Sequence, residues 1–341
     1  LSRLTIALDM MGGDHGPPVT VNAAVRAVTD SPNLQLLLCG DRPQLEEQLK
    51  NYSNYPEEAL ILVHTEQVVT MDDKPSSALR NKPRSSMRKA LELVQSGEAD
   101  ACVSAGNTGA LLAMAYYELK TLPGIDRPAL ISSVPAQNHK KVFLLDLGAN
   151  VSCDSEILFQ YAVMGSVMAE EVEGIAQPKV GLLNVGEEQI KGNDVVKHTG
   201  QILSSLPSLN YIGYIEGGDI FSNKADVVVT DGFVGNVALK ACEGLGKFII
   251  SEVKRLSQKN LFTRLMARLS LPLLKKIYNR VNPDQYNGAS LIGLRGIVVK
   301  SHGNASSDAF LYAIQEAVHE VDRQVPTKIK DKIERLLMER P

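Results

Sequence analysis

Short, uninterrupted apolar runs recur along this chain, and each is followed by a polar turn and then a helical pattern. "LTIAL" from Leu4 precedes a helix over about Pro17–Asp30, and "LQLLLC" from Leu34 precedes one near Pro43–Lys50. "ALILVH" comes next, and a helix over about Pro83–Ser96 leads into "ADACVS" (Ala99–Ser104) and then a helix over Thr108–Leu119. Further runs are "ALISSV", "VFLLDL", "VGLLNV", "YIGYI", "DVVVTD" and "GIVV". Several lack the alternation of a half-exposed strand, so they read as strands covered on both faces, as in a parallel sheet. Alternating strands and helices predict a three-layer α/β/α sandwich with a mostly parallel sheet. No repeat, low-complexity tract or linker divides the chain, so one domain over residues 1–341 is expected.

The polar turns are unusual. "LDMMGGDHG", "SAGNTG", "LDLGAN", "NVGEEQIKGN", "IEGGD", "TDGFVGN" and "KSHGNASSD" each follow a strand, and they carry Gly with Asp, Asn, Ser or Lys. Each alone is adequately explained as a tight turn. In open α/β sheets, however, ligands bind beyond the carboxyl ends of strands. The seven are therefore expected on one edge of the sheet, as the rim of one cleft. "SAGNTGALLAM" (Ser104–Met114) passes from strand to helix, and a helix start presents unpaired N–H groups and a positive dipole end. Ser104, Asn107 and Thr108, with the Gly106–Gly109 backbone, are candidate anion donors; Asn107 or Thr108 also suits a helix cap, and both roles can hold at once.

Other candidates stay open between two roles. Lys191 neutralises an anion or is a solvated surface lysine. Asn236 is an oxyanion donor or a cap. His302 hydrogen-bonds an anion, protonates a leaving group or serves its loop. Asp14 orients a donor such as Lys191, Asp9 caps a turn, and Asp231, with Gly232, shares the ambiguity. Glu187 and Glu188 pair with Lys191 or face water. The acids lack metal-ligand spacing, and no metal or other cofactor is expected.

The net charge of −3 implies no general affinity for nucleic acid. Four dispersed cysteines suit a reducing compartment. The opening "LSRLTIALDM" reads directly into a strand rather than a leader, and no run reaches membrane-spanning length. From Lys254 to Val281, eight Lys or Arg occur with no acid, leaving about −11 on the rest. Leu261, Phe262, Leu265, Met266 and Leu269 share one helical face; Leu273, Leu274, Ile277, Tyr278 and Val281 resume it after Pro272. Two short helices broken at Pro272 are expected within a projecting segment over residues 254–294. Leu269, Leu271, Leu273, Leu274, Lys275 and Lys276 would touch an anionic membrane surface. A dimer interface and a dock for an acidic protein are the other uses of such a segment.

Taken in order, "LDMMGGD", "SAGNTGAL", "LDLGANVSCD", "NVGEEQIKGN", "TDGFVGNVALK" and "NPDQYNGASLIGLRG…KSHG" resemble the bacterial phosphate:acyl-carrier-protein acyltransferases of phospholipid synthesis, the PlsX family, over essentially the whole chain. Met10 stands where that family usually has Ala or Val. The resemblance implies a fold like those of isopropylmalate dehydrogenases and phosphotransacetylases, and a homodimer. It implies a reaction in which long-chain acyl-[acyl-carrier-protein] and inorganic phosphate give acyl phosphate and free carrier protein. The product would pass to a membrane glycerol-3-phosphate acyltransferase, with the enzyme cytoplasmic and peripheral at the inner face of the cell membrane. The resemblance strengthens the functional reading of Lys191. A coenzyme A-dependent phosphotransacetylase and a non-enzymatic membrane scaffold for lipid synthesis are the alternatives.

Overall fold

The computed structural model describes residues 3–281 and 288–339. Its strands are β1 (Leu4–Asp9), β2 (Leu34–Gly40), β3 (Leu60–His64), β4 (Ala101–Ser104), β5 (Ala129–Pro135), β6 (Lys141–Leu145), β7 (Val180–Leu183), β8 (Tyr211–Ile215), β9 (Val227–Val229), β10 (Ala289–Ile292) and β11 (Ile297–Lys300). They form one sheet in the order β3-β2-β1-β4-β11-β10-β5-β6-β9-β7-β8. The helices are α1 (Pro17–Asp30), α2 (Arg42–Leu49), α3 (Pro75–Asn81), α4 (Ser86–Gln95), α5 (Thr108–Leu119), α6 (Ser155–Glu171), α7 (Asp194–Ser204), α8 (Gly232–Ser257), α9 (Leu261–Val281), α10 (Ser307–Asp322) and α11 (Val325–Glu339).

Successive residues of a strand point to opposite faces, and here both faces are apolar. Ile6, Leu8, Leu36, Leu38, Val103 and Val299 pack with α1 and α10 residues such as Val21, Val25, Phe310 and Ile314. Ala7, Leu37, Cys102 and Val298 face the other way, onto Met87, Leu91, Leu111 and Met114 of α4 and α5. In the second half, Phe143, Leu145, Val227 and Val229 pack with Phe159, Val163 and Ile333. These are the three layers predicted. Met10 is fully buried among the first set.

One expectation fails on topology. The β10 strand is antiparallel to both β11 and β5, and β5 is antiparallel to β6. Strands β1, β2, β3, β4 and β11 thus run one way, whereas β6, β9, β7 and β8 run the other. The polar turns after β1, β4 and β11 emerge at one edge, and those after β6, β7, β8 and β9 at the opposite edge. They do not form one rim. The reason is connection length: five residues separate β5 from β6, and four separate β10 from β11, too few for the crossover a parallel pair needs.

The helical segment differs as well. Helix α8 begins at Gly232, the break falls between Ser257 and Leu261, and α9 continues through Pro272 as one helix. Proline removes one i→i−4 hydrogen bond, and on an exposed helix water can serve the released carbonyl. Residues 289–292, expected in the helical segment, are β10.

Candidate active site

Asp9, Ser104 and Lys300 end three adjacent parallel strands, in register with one another. Asp9 is buried and accepts hydrogen bonds from Ser86 Oγ (2.6 Å) and Ser104 Oγ (2.7 Å). Burial raises its pKa, while those hydroxyls and the amides of Met11 and Gly12 act against the rise. Ser104 Oγ in turn accepts the Gly106 amide at 3.0 Å, and the Ser301 amide donates to the Ser104 carbonyl at 2.9 Å. The turn after β1 is pressed onto the turn after β4: a Cβ on Gly12 would lie 2.6 Å from Asp9 Oδ2 and 2.7 Å from the Gly106 nitrogen. Gly13 has φ +89° and leads to Asp14, whose amide donates to the Gly303 carbonyl at 2.7 Å. Three strand exits therefore interlock through their backbones.

Helix α5 starts at this junction. Asn107 is its N-cap: Oδ1 accepts the Ala110 amide at 3.0 Å, and Nδ2 donates to the carbonyls of Met71 (2.7 Å) and Asp73 (3.1 Å). Two of the expected donors are already engaged within the protein. Ser104 spends its proton on Asp9, and Asn107 spends both amide protons on the 71–73 turn, so both position the loop. The Gly106 amide is taken by Ser104. Thr108 and Gly109 are the first two helical residues, and their amides have no acceptor within the helix. Gly109 packs under Pro75.

The sequence reading missed Lys300. It is 7% exposed, and its ammonium donates to the carbonyls of Ala105 (3.5 Å) and Ser301. Burial pulls its pKa down to about 8; the charges of Asp9 and Asp14 push it up, and Lys240 pulls it further down. The available signal was a lysine closing a fully apolar strand in a Gly-rich polar turn. His302 follows it, half-buried at the same junction, and Asp14 is exposed.

The second edge has its own cluster. Buried Asp146 accepts the amides of Leu130 (3.0 Å), Ala149 (3.0 Å) and Asn150 (2.6 Å), while burial raises its pKa. Asn150 Nδ2 donates to Pro128 O (2.7 Å) and contacts the Tyr161 hydroxyl at 2.6 Å. Asp231 is the N-cap of α8, accepting the Val234 amide at 2.8 Å, and the Gly232 amide is taken by the Asn150 carbonyl. Asn236 is exposed one turn further, against Gly148, so it is not the cap. Lys191 is 44% exposed and paired with Glu188 at 2.8 Å, a bond that raises its pKa. Glu187 pairs instead with Lys224. Asp14 lies on the first edge and does not orient Lys191.

On the helical hairpin of α8 and α9, joined by residues 258–260, Leu269, Leu271 and Leu273 are exposed with Lys275 and Lys276, and Leu274 is half-buried. Phe248, Ile249, Leu256 and Phe262 extend the exposed apolar surface. The side chains of Ile277, Tyr278, Arg280 and Val281 lie outside the described residues. No described helix is long and apolar enough to cross a membrane.

A mixed α/β sandwich with a large, mostly parallel sheet defines a class of fold found in solved phosphotransacetylases. The chain superimposes on the phosphotransacetylase of Streptococcus pyogenes with a TM-score of 0.66, 16% identity and 94% coverage of each chain. The EutD phosphotransacetylase of Staphylococcus aureus gives 0.60, with 17% identity, 95% of this chain and 96% of that one. At such identities the likeness is one of fold. Residues 4–328 match the family model described as fatty acid synthesis protein. The phosphate acyltransferase of Pseudoalteromonas atlantica is 58% identical over 340 residues, covering 100% of both chains. That of Colwellia psychrerythraea is 58% identical over 337 residues, 97% of each. The chain belongs to this phosphate acyltransferase family and is an acyltransferase, which removes the non-enzymatic scaffold as an alternative.

Proposed function

We propose that the enzyme transfers a long-chain acyl group from the thioester of acyl carrier protein to inorganic phosphate, giving acyl phosphate and the free carrier thiol. The observation that carries this reading is the junction of the β1, β4 and β11 exits. There the Thr108 and Gly109 amides open a helix beside interlocked glycine turns. Inorganic phosphate near neutral pH is a mixture of monoanion and dianion, and the dianion attacks without a strong base. The leaving thiol, with a pKa of about 8.5, departs readily. The work left to the protein is to position the anion and stabilise the oxyanion that forms. Asp14, Ser104, Asn107 and Gly106 shape the phosphate side, and His302 donates to phosphate or to the departing thiolate.

The acyl donor is assigned to the second edge, where Lys191, Asn236, Asp231 and Gly232 lie. Helix α8 links the two edges. It starts at Gly232, and Lys240, about 12 Å along at 1.5 Å per residue, bears on the charge of Lys300. An extended thioester arm laid along its first turns runs from one edge to the other. The exposed apolar and basic surface of α8 and α9 supports reversible binding to the anionic inner face of the cell membrane, and the apolar residues of α8 support a homodimer. There the acyl phosphate would meet a membrane glycerol-3-phosphate acyltransferase.

The test is thiol release from long-chain acyl-carrier protein, with and without inorganic phosphate. Release that rises with phosphate to saturation is expected, with acyl phosphate trapped by hydroxylamine. Release indifferent to phosphate refutes the reading. Faster turnover of the coenzyme A thioester than of the carrier-protein thioester would assign the phosphotransacetylase reaction instead.

A further inference from the structure

We propose that Lys300 supplies the positive charge that holds the acceptor phosphate, acting as a phosphate-positioning residue at the junction of the three strand exits. This rests on the phosphate-acceptor reaction above. Among the described residues, Lys300 forms no salt bridge, although it is 7% exposed. Asp9, two strands away, has its oxygens spent on Ser86, Ser104 and two backbone amides. Asp14 is exposed and bears on Lys300 only through its charge. A buried charge with no counter-charge in contact is costly. Two carbonyls, those of Ala105 and Ser301, satisfy protons of the ammonium but do not neutralise it. An anion bound where Ala105 leads into α5 would neutralise it. The same ammonium ties the β4 turn to the β11 turn, so charge and loop geometry reach the anion together.

The charged and titratable groups around Lys300 are Asp9 from β1, Asp14 from the next turn, Lys240 from α8 and its neighbour His302. Burial holds its pKa near 8, so the free enzyme loses this charge as pH rises through that value. A bound dianion favours the protonated form. Affinity for the phosphate dianion therefore falls as pH rises above 8, approaching tenfold per pH unit.

The experiment measures kcat/KM for phosphate from pH 7 to 10, the KM for the acyl donor, and the thermal shift given by inorganic phosphate alone. It compares the wild type with Lys300→Met and Asp14→Asn. Lys300→Met is expected to raise the phosphate KM tenfold or more at pH 7, to leave the donor KM unchanged and to lose the alkaline decline. Asp14→Asn removes a neighbouring negative charge from an exposed position, so the decline should move to lower pH. A Lys300→Met enzyme that keeps the wild-type phosphate KM and decline overturns the proposal, whatever its Tm. If that variant does not fold, Asp14→Asn decides: a decline that stays in place overturns it. Phosphate that stabilises the protein in a Lys300-dependent way, without accepting an acyl group, would sink the reaction and leave the Lys300 site standing.

Discussion

Replacing Asn107 by alanine separates a helix cap from a phosphate ligand. The side chain accepts the Ala110 amide and donates to two carbonyls in the 71–73 turn. Loss of an N-cap costs about 1 kcal/mol, and each of the other two bonds is worth about 1 kcal/mol. The expected destabilisation is thus about 3 kcal/mol. Unfolding entropy of about 2.1 cal/mol/K per residue over 341 residues gives about 0.7 kcal/mol/K, so Tm should fall by about 4 °C. Asn107→Ser keeps the cap and loses only the two donors, so its Tm should fall by about 3 °C. The assay is thermal unfolding in phosphate-free buffer, paired with the phosphate KM. An Asn107→Ala protein with unchanged Tm and a tenfold higher phosphate KM would make Asn107 a ligand and refute the hydrogen-bond assignment.

Lys191→Ala should leave Tm within a degree of wild type, because the side chain is exposed and pairs only with Glu188, three residues away; turnover with the acyl donor should fall tenfold or more, and full activity would remove Lys191 from the reaction. Leu273→Glu, at a 61% exposed position, should abolish flotation with anionic vesicles while leaving soluble turnover intact; equal flotation of both proteins would remove the hairpin from membrane binding. Glu320 is buried beside Glu316 and Ser290, with Lys141 and Glu173 near Glu316, and burial pushes its pKa up to about 8, above its unfolded value. The fold therefore favours the protonated acid, and stability falls as pH rises from about 4.5 to about 8. The Tm advantage of Glu320→Gln should grow across that window and level off above it; a difference independent of pH would show that Glu320 ionises normally.

Most strands were legible because burial on both faces leaves a signature in composition alone. Helix α5 was legible to the residue, since Asn107 and Gly106 mark its start and the apolar run fixes its length. Strand direction was not read, although the short links after Pro135 and Ile292 carried it. The missed α3 has only Ala78 buried, too little to leave a periodic pattern. Ser104 and Asn107 were read as ligands because their partners, Asp9, Met71 and Asp73, lie 34 or more positions away in sequence. Lys300 was invisible for the same reason. Lysine is usually solvated, and only the packing of turns near residues 12, 105 and 303 buries this one.

The proposed product explains why a buried cation and an exposed apolar hairpin occur in one chain. Acyl phosphate is an amphiphile with an anionic head and a hydrocarbon tail. Burying each methylene is worth about 0.8 kcal/mol, so releasing a chain of about 14 methylenes into water costs about 11 kcal/mol. A cost of that order favours handing the product to an apolar acceptor over releasing it into solvent. Lys240 of α8 bears on the charge of Lys300, and the same helix then exposes Leu245, Phe248, Ile249 and Leu256 before α9 begins. On the proposed reading the tail would follow this apolar surface from the anion site, and the basic residues of α9 would hold that end against anionic lipid. Removing the apolar face should then slow product release more than phosphate binding, lowering kcat at fixed phosphate KM when no bilayer or detergent accepts the product.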